Sequence, residues 1–272
     1  MTSFQGEALS WSHQGKSLEV ELHRAPCNEI GRLSLGELEK LVEYINQGAD
    51  GAQVVLFHST TKRGFCAGAD LRELHAGLAE RRAQETSPEA ITAEAADFIH
   101  RIHAAFNAID TAPMVTIAAV HGVCFGGGFE LALTTDLIVA DKSARFCFPE
   151  LRLGIIPAFG GLPRLRRDAG NQLVRDLLFT GRSLNASKAQ SSGIVSQVVA
   201  RGEALRVARM MAEQATRFDT TITKAAKAFV KPLPLAELER EKEIFLERLA
   251  SDVVFEALDT FVNSEDIRPY LP

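Results

Sequence analysis

Two glycine-bearing segments of the sequence could each present free backbone N–H groups to a ligand. The first is 64–70 (GFCAGAD) and the second is 126–130 (GGGFE). Both precede helical patterns, and the first N–H groups of a helix have no partner within that helix. One donor from each segment on a shared carbonyl oxygen would form an oxyanion hole. A simpler interpretation also stays open, because glycines make tight turns and Asp70 can cap the helix that follows it.

A glutamate supplies a third candidate group. Glu150 stands in a Phe-Pro-Glu sequence shortly before the glycine-bearing range 157–161. Fixed in this way it could act as a general acid or base, although most glutamates are solvated surface residues. His100 and His103 lie three residues apart in a helical pattern, but no third metal ligand has a fitting spacing. We therefore expect no metal and interpret both as ordinary surface histidines of a helix.

Composition limits the class of protein. The chain has 272 residues, of which 46% are apolar and 24% charged, and its net charge is −5. This balance argues against a broad surface for nucleic acid or an anionic membrane. The longest apolar stretch, 113–123, is too short for a membrane helix, and the four cysteines form no CxxC pair. The N-terminus lacks a secretory pattern, so we predict a soluble cytoplasmic protein without nucleic-acid or membrane partners.

Strand and helix patterns alternate along most of the chain. Strict alternation predicts a half-exposed strand over 17–23, and apolar runs predict buried strands over 53–58, 114–120 and 137–140. Periodicity disappears over 76–90, which predicts a surface excursion. Helical spacing returns over the following ranges: 88–109, 204–215, 222–230 and 235–261. These patterns favour an α/β fold with mostly parallel strands over 1–200 and a helical C-terminal part over 201–272.

Three motifs resemble, in order, the core motifs of the crotonase (enoyl-CoA hydratase/isomerase) superfamily. They are FCAGAD at 65–70, HGVCFGGGFELALTTD at 121–136 and PELRLGIIPAFGGLPRL at 149–165. The resemblance runs from about residue 18 to residue 196. It implies a crotonase-like spiral ββα core with a helical C-terminal trimerisation part. It also implies a homotrimer or a hexamer built as a dimer of trimers.

The resemblance also implies the roles of individual residues. Ala67 and Gly127 match the two backbone N–H donors for a thioester oxygen, and Glu130 and Glu150 match the two catalytic carboxylates. The remaining positions expected to contact substrate are Gly68, Ala69, Asp70, Gly126 and Ala158. The substrate implied is an acyl-CoA, and no separate cofactor is expected.

The pair of glutamates is the pattern of a hydratase. We therefore expect syn addition of water to a 2-enoyl thioester, or the reverse dehydration of a 3-hydroxyacyl thioester. Two alternatives stay open. One is a Δ3,Δ2-enoyl-CoA isomerase that uses a single glutamate as a proton shuttle. The other is a non-catalytic paralogue that binds acyl thioesters.

Several positions depart from the family pattern. Ala158 replaces a glycine whose N–H directs water, and aromatic residues stand beside the motifs at Phe125, Phe129, Phe148 and Phe159. Core packing would explain each ring singly. Taken together as walls of the acyl pocket, they predict a bulky, branched or cyclic acyl group.

The C-terminal part suggests two further expectations. The basic and aromatic ending of the family is absent after Phe261, so a phosphopantetheine-carried thioester is an alternative to acyl-CoA, with Lys62 and Arg63 as phosphate partners. The range 235–261 carries more apolar residues than one helix face requires, which favours subunit contacts. These residues are Leu238, Phe245, Leu249, Val253, Val254, Leu258 and Phe261.

Overall fold

The computed structural model describes residues 2–84 and 87–264. Expectations for 85–86 and for 265–272 lie outside the described residues. The strands are β1 Phe4–Gln5, β2 Leu9–Gln14, β3 Ser17–Leu22, β4 Val54–Ser59, β5 Gly64–Cys66, β6 Val115–Val120, β7 Val123–Phe125, β8 Leu137–Asp141, β9 Arg145–Cys147, β10 Leu184–Asn185 and β11 Gln197–Val199. The helices are α1 Arg32–Asn46, α2 Leu71–Gln84, α3 Pro88–Asp110, α4 Gly127–Leu133, α5 Gly161–Ala169, α6 Asn171–Thr180, α7 Ala186–Ser191, α8 Ala204–Ala215, α9 Thr220–Val230, α10 Leu235–Leu249 and α11 Asp252–Asn263.

Two sheets organise these elements. The larger has the order β1-β2-β3-β4-β6-β8-β11, antiparallel from β1 to β3 and parallel from β3 onward. The smaller has the order β10-β9-β7-β5, in which β5, β7 and β9 run parallel. The mixed α/β class with mostly parallel strands and C-terminal helices is confirmed. The strands β5, β7 and β9 were not predicted, because three residues are too few to show a period.

The central strands are buried on both faces, which explains their continuous apolar runs. Val54 and Leu56 of β4 pack with Ala208 of α8 on one side of the sheet. Val55 and Phe57 of the same strand face the main core on the other side. The layering therefore places α8 on one face and the core that carries the cleft on the other.

The prediction of a half-exposed strand over 17–23 is wrong at Glu19, whereas Glu21 on the same face is half-buried. Glu19 is buried beneath α8, where the guanidinium of Arg209 donates two hydrogen bonds of 2.8 Å to its carboxylate. A paired carboxylate can occupy a buried position that an unpaired one could not. The sequence showed the alternation but not the helix, almost 200 residues later, that covers it.

The predicted surface excursion over 76–90 is also wrong for the described residues of that range. α2 continues to Gln84, with Leu78 buried in the core. Ser87 then caps α3 by accepting a hydrogen bond from the Ala90 amide at 3.2 Å. The helical period is weak here because the outer face of α2 makes ion pairs, such as Arg81 with Glu94 at 2.5 Å.

The single helix predicted over 235–261 is two helices, α10 and α11, interrupted at Ala250 and Ser251. Two helices each need one buried face, which explains the excess of apolar residues without a partner subunit. Most members of the set are buried within this chain, namely Leu238, Phe245, Leu249, Val254 and Leu258. These five residues therefore have no surface to offer a partner subunit. Val253 is exposed and Phe261 is half-buried, and the expectation that this part of the chain forms subunit contacts stays a prediction. None of the helices in the two described ranges has the length and apolar character needed to cross a bilayer.

Candidate active site

The two glycine-bearing segments converge on one cleft. β5 and β7 pair in parallel, so the segments that follow them lie side by side at the same edge of the smaller sheet. The cleft holds about 1020 Å³ of open space, its mouth included. Every site residue expected from the sequence lines it: Ala67, Gly68, Ala69, Asp70, Gly126, Gly127, Glu130, Glu150 and Ala158.

Glycine is required at this junction because two backbone segments touch. A Cβ atom at Gly128 would collide with the carbonyl group of Cys66. Gly68 has a φ of +106°, and a Cβ atom there would lie 3.1 Å from the Gly127 nitrogen. Larger residues would separate the segment after β5 from the start of α4.

The structure contradicts the assignment of Ala67 as a thioester donor. The Ala67 N–H donates to the carbonyl of Cys27 at 2.9 Å, so it is already engaged within the protein. Ala67 lines the cleft, but its amide is not available to a ligand. The donor in this segment must come from another residue.

The Ala69 N–H is directed into the cleft. Ile30 forms a parallel bridge to Ala69, in which it bonds to the Gly68 carbonyl at 2.8 Å and to the Asp70 amide at 3.0 Å. In such a bridge the N–H of the central residue points away from the partner, which here is toward the start of α4. The Ala69 nitrogen lies 3.4 Å from the position a Cβ of Gly127 would take. The amides of Ala69 and Gly127 are therefore neighbours at the cleft.

Asp70 has the simpler of its two predicted roles. Its Oδ1 accepts a hydrogen bond from the Glu73 amide at 3.1 Å, which caps α2. Its Oδ2 accepts one from the guanidinium of Arg24 at 2.6 Å. Both carboxylate oxygens thus position the segment that carries Ala69.

Glu130 is a buried carboxyl group in the first turn of α4. Its side chain lines the cleft, and the residue is 2% exposed. Its Oε1 accepts hydrogen bonds from the amides of Phe159 and Gly161, each at 2.8 Å. Burial raises the pKa of Glu130 to about 7, against the two amides and the positive charge of Arg164, which lower it. The group therefore changes its charge near neutral pH.

Glu150 lies in the short helical turn after β9 and lines the same cleft. Its Oε2 is buried, and within 2–84 and 87–264 it has no hydrogen-bond partner. Burial and then the charge of Glu130 raise its pKa well above the ordinary value. Gly126, with a φ of +47°, makes room for it, since a Cβ there would lie 2.6 Å from the Glu150 Oε1. Both carboxyl groups thus hold a proton more firmly than an ordinary glutamate does.

One of the two histidines was placed wrongly. His100 is exposed, as predicted, but His103 is 2% exposed, and its Nε2 lies 2.8 Å from the carbonyl oxygen of Ala158. Burial lowers the pKa of His103 to about 4, so the ring is neutral at pH 7. The signal was present in the sequence, because His103 continues the buried stripe formed by Ile99, Ile102 and Phe106.

The predicted aromatic acyl wall is largely wrong. Phe129 and Phe148 are fully buried and stack on each other with ring centroids 4.8 Å apart, so they belong to the core. Of the four rings named from the sequence, only Phe159 lines the cleft, together with Phe98 and Phe245. The rest of this wall is aliphatic and comes mainly from α2 and α3, through Leu74, Leu78, Ile91 and Ile99. Phe125, Phe129 and Phe148 therefore give no support to the preference for a bulky acyl group, which stays a prediction.

Two buried charged residues near the site were not predicted. Arg164 is fully buried and donates to the Asp110 carboxylate at 2.6 Å and to the carbonyls of Phe159 and Gly160. Glu241 of α10 accepts a hydrogen bond from the Leu162 amide at 3.0 Å. Arg164 stands in the motif at 149–165, but its burial depends on Asp110, 54 residues earlier. Glu241 showed no local signal, because its partner Leu162 is 79 residues away in the chain.

Comparisons with known proteins show the family to which the chain belongs. The profile of the family described as enoyl-CoA hydratase/isomerase matches residues 14–267. A probable enoyl-CoA hydratase of Rhizobium meliloti is 34% identical over 261 residues, covering 94% of this chain and 95% of that protein. A probable mitochondrial enoyl-CoA hydratase 2 of Arabidopsis thaliana is 36% identical over 220 residues, covering 80% and 68%. The crystal structure of enoyl-CoA hydratase from Bacillus anthracis superposes with a TM-score of 0.73 at 26% identity, covering 94% of this chain and 96% of that one. The chain therefore belongs to the enoyl-CoA hydratase/isomerase family.

Proposed function

We propose that this protein adds water to the double bond of a 2-enoyl-CoA, and catalyses the reverse dehydration of the 3-hydroxyacyl-CoA. The observation that carries the proposal is the arrangement of Glu130 and Glu150. Glu130 is buried, Glu150 is half-buried with a buried Oε2, and both line one cleft. The amides of Ala69 and Gly127 lie at the same cleft. Hydration of an enoyl thioester needs a base, an acid and a site for a negative oxygen, and this cleft offers all three.

The amides of Ala69 and Gly127 bind the thioester oxygen. Addition of a nucleophile at Cβ places negative charge on this oxygen as an enolate forms. Two fixed N–H donors stabilise the charge without rearrangement, and one such donor is commonly worth about 3–4 kcal/mol in the transition state. Gly127 is the first residue of α4, so its amide is among those left without an intrahelical partner.

The different hydrogen bonding of the two glutamates assigns their roles. Two amides stabilise the charged form of Glu130, whereas the Glu150 Oε2 has no partner among the described residues. Glu130, with a pKa of about 7, is present as a carboxylate often enough to take a proton from water while the water oxygen bonds to Cβ. Glu150, whose pKa burial and the charge of Glu130 raise well above the ordinary value, keeps its proton and delivers it to Cα. Exchange with solvent then returns the proton from Glu130 and restores the one on Glu150. Because both groups act from one cleft, hydrogen and hydroxyl add to the same face.

The isomerase and the non-catalytic paralogue would each need fewer of the groups in this cleft. An isomerase needs one carboxyl group to move a proton from Cα to Cγ. A protein that only binds acyl thioesters needs neither, yet here an unpartnered carboxyl oxygen of Glu150 is kept buried, which costs stability. The loss of absorbance of crotonyl-CoA on hydration tests the proposal. Growth of that absorbance from a 3-enoyl-CoA, without hydration of crotonyl-CoA, would favour the isomerase instead.

Coenzyme A is the carrier we propose. Lys62 and Arg63 are exposed and immediately precede β5, whose end leads to Ala69. Basic side chains at this position are suited to phosphate groups of a thioester bound along the same segment. A phosphopantetheine-carried thioester is the competing substrate. Comparison of kcat/KM for crotonyl groups on coenzyme A and on a carrier protein distinguishes the two.

We also propose that the protein forms a homotrimer or a hexamer. The support comes from α9, which buries none of its residues within the chain. Phe229 is 86% exposed, and Ile222 and Val230 on the same helix are also exposed. Apolar side chains in such a cluster are typical of an interface. Light scattering that showed a stable monomer at micromolar concentration would contradict this.

A cytoplasmic location stays a prediction.

A further inference from the structure

The turn 158–162 carries the amides that bind Glu130, and it leads directly into α5. The N-cap of α5 is Gly160, which has no side chain to accept hydrogen bonds from the first amides of the helix. Carboxyl groups from two other helices take that place. Glu130 of α4 accepts from Phe159 and Gly161, and Glu241 of α10 accepts from Leu162.

The carbonyl groups of the same turn are held as well. His103 contacts the Ala158 carbonyl at 2.8 Å, and Arg164 donates to the carbonyls of Phe159 and Gly160 at 3.1 and 3.0 Å. Each residue from 158 to 162 therefore has its backbone N–H or its carbonyl bound by a side chain. Glu241 holds the last of these peptide groups, where the turn becomes α5.

Glu241 is a buried carboxyl group beside this turn. It is 4% exposed, and its Oε2 has no hydrogen-bond partner in the described part of the chain. Burial and the charge of Glu130 raise its pKa well above the ordinary value, opposed by the Leu162 amide and by Arg164. Glu241 and Glu130 bind the neighbouring amides of Leu162 and Gly161, so a shift of one end of the turn would disturb the other.

We propose that Glu241 is a positioning residue of the active site, which holds the 158–162 turn through the Leu162 amide so that the Phe159 and Gly161 amides stay on Glu130. This inference rests on the proposed role of Glu130 as the base. Its consequence is that α10, in the C-terminal part, controls how much of Glu130 is ionised at neutral pH. Arg164, Glu150 and Glu241 are the charged or titratable groups that act on Glu130.

Two substitutions separate this role from simple packing. Glu241→Leu removes the acceptor, whereas Glu241→Gln keeps a carbonyl oxygen for the Leu162 amide. Once the turn loosens, Glu130 loses donors that favour its charged form, and its pKa rises. For Glu241→Leu we expect kcat to fall about tenfold with KM within about threefold, and the acid limb of the pH–rate profile to move upward. For Glu241→Gln we expect kcat within about twofold and an unmoved limb.

Glu37→Leu is the matched control. Glu37 is also buried, and it accepts hydrogen bonds from the amides of Glu7, Ala8 and Leu9, away from the cleft. This control should lower Tm but leave kcat of the folded enzyme and the acid limb unchanged. A Glu241→Leu enzyme that behaves in this same way would overturn the proposal, as would a Glu241→Gln enzyme that is as impaired as Glu241→Leu. Should Glu241→Leu not fold, Glu241→Met replaces it under the same criteria.

Amide hydrogen exchange separates this proposal from the proposed function. We expect exchange of the amides at 159–162 to become at least about tenfold faster in Glu241→Leu and to stay near wild type in Glu241→Gln. This result does not depend on substrate. If the wild-type protein hydrates no enoyl thioester but exchange accelerates as described, the proposed function fails and the positioning of the turn stands. Unchanged exchange in Glu241→Leu contradicts the positioning itself.

Discussion

Two regions of the molecule contain glutamates that bind backbone amides. The regions differ in how many of the carboxyl oxygens have a hydrogen-bond partner within the protein. At Glu37, three amides occupy both oxygens: Glu7 donates to Oε1, and Ala8 and Leu9 donate to Oε2. At the cleft, the two amides on Glu130 both donate to Oε1, and the Glu150 Oε2 has no partner among the residues described. In the first region, the protein itself satisfies both carboxylate oxygens. The second keeps hydrogen-bonding capacity for something outside the chain.

This difference shows which buried carboxyl groups are candidates for catalysis. Burial alone does not mark a catalytic residue, since Glu37 and Glu130 are both buried. Unused hydrogen-bonding capacity at a group that also lines the cleft points to a catalytic role, because an unsatisfied buried group lowers stability. Within the described ranges Glu241 also has an unpartnered oxygen, but it does not line the cleft. The following substitutions test whether the contrast between these two regions holds.

The largest effect is expected from neutralising either catalytic carboxyl group. Glu130→Gln and Glu150→Gln should each lower kcat for hydration of crotonyl-CoA by about 10²–10⁴-fold, since each removes a general acid or base. Circular dichroism should show the fold intact. Glu37→Gln, the matched change in the other region, should retain near-normal kcat. A single loss, at only one of the two cleft residues, would favour the isomerase.

A methyl group at the oxyanion site should have the next largest effect. A Cβ at Gly127 would lie 2.6 Å from the Phe159 ring and 3.4 Å from the Ala69 nitrogen. Gly127→Ala should therefore lower kcat/KM by about 10²–10³-fold, the usual consequence of disturbing one oxyanion donor. Gly36→Ala in α1, where a Cβ meets nothing within 4 Å, is the control and should leave kcat/KM unchanged. Equal kinetics in the two variants would refute the assignment of Gly127.

The pH dependence of activity should follow the two carboxyl groups. The rate should rise as Glu130 ionises, with an acid limb near pH 7, because its pKa is about 7. It should fall again at higher pH as Glu150, whose pKa is raised well above its ordinary value, loses its proton. Measurement of kcat/KM from pH 5 to pH 10 checks both limbs. A rate that is flat between pH 5 and pH 8 would contradict the role of Glu130.

The smallest effect should appear in stability. A carboxyl group whose folded pKa is raised binds more protons in the folded state than in the unfolded state above about pH 4.5, so stability falls as pH rises. Glu150→Gln removes one such group and should raise Tm by about 2–6 °C at pH 8.5, with a smaller gain at pH 5. Glu37→Gln loses hydrogen bonds instead and should lower Tm at both values. Calorimetry at the two pH values compares the variants directly.

The sequence allowed prediction of the elements that have a local period and of the motifs that are continuous. The buried strands, α3 and the segments that line the cleft follow from patterns within a few residues. The choice between Ala67 and Ala69 does not, because it depends on which amides bond to Cys27 and Ile30, some 40 residues earlier. Local spacing cannot show which way a single N–H points.

The contribution of the C-terminal part was missed for a related reason. Glu241 and Phe245 reach the turn and the cleft only after α10 has packed against α5 and α3, so no pattern in 235–249 indicates a site. Phe129 and Phe148 show the reverse case, because they stand beside the motifs in the sequence but do not line the cleft in the structure. In the structure the two rings pack on each other beneath the cleft.

The central claim is that Glu150 exchanges the proton at Cα while Glu130 acts on water at Cβ. Exchange of the Cα hydrogen of butyryl-CoA in D₂O, followed by proton NMR, tests this most directly because the substrate has no double bond to hydrate. The account predicts exchange in the wild-type enzyme, retained exchange in Glu130→Gln and a loss of about 10²-fold or more in Glu150→Gln. Undiminished exchange in Glu150→Gln would contradict the division of roles between the two carboxyl groups.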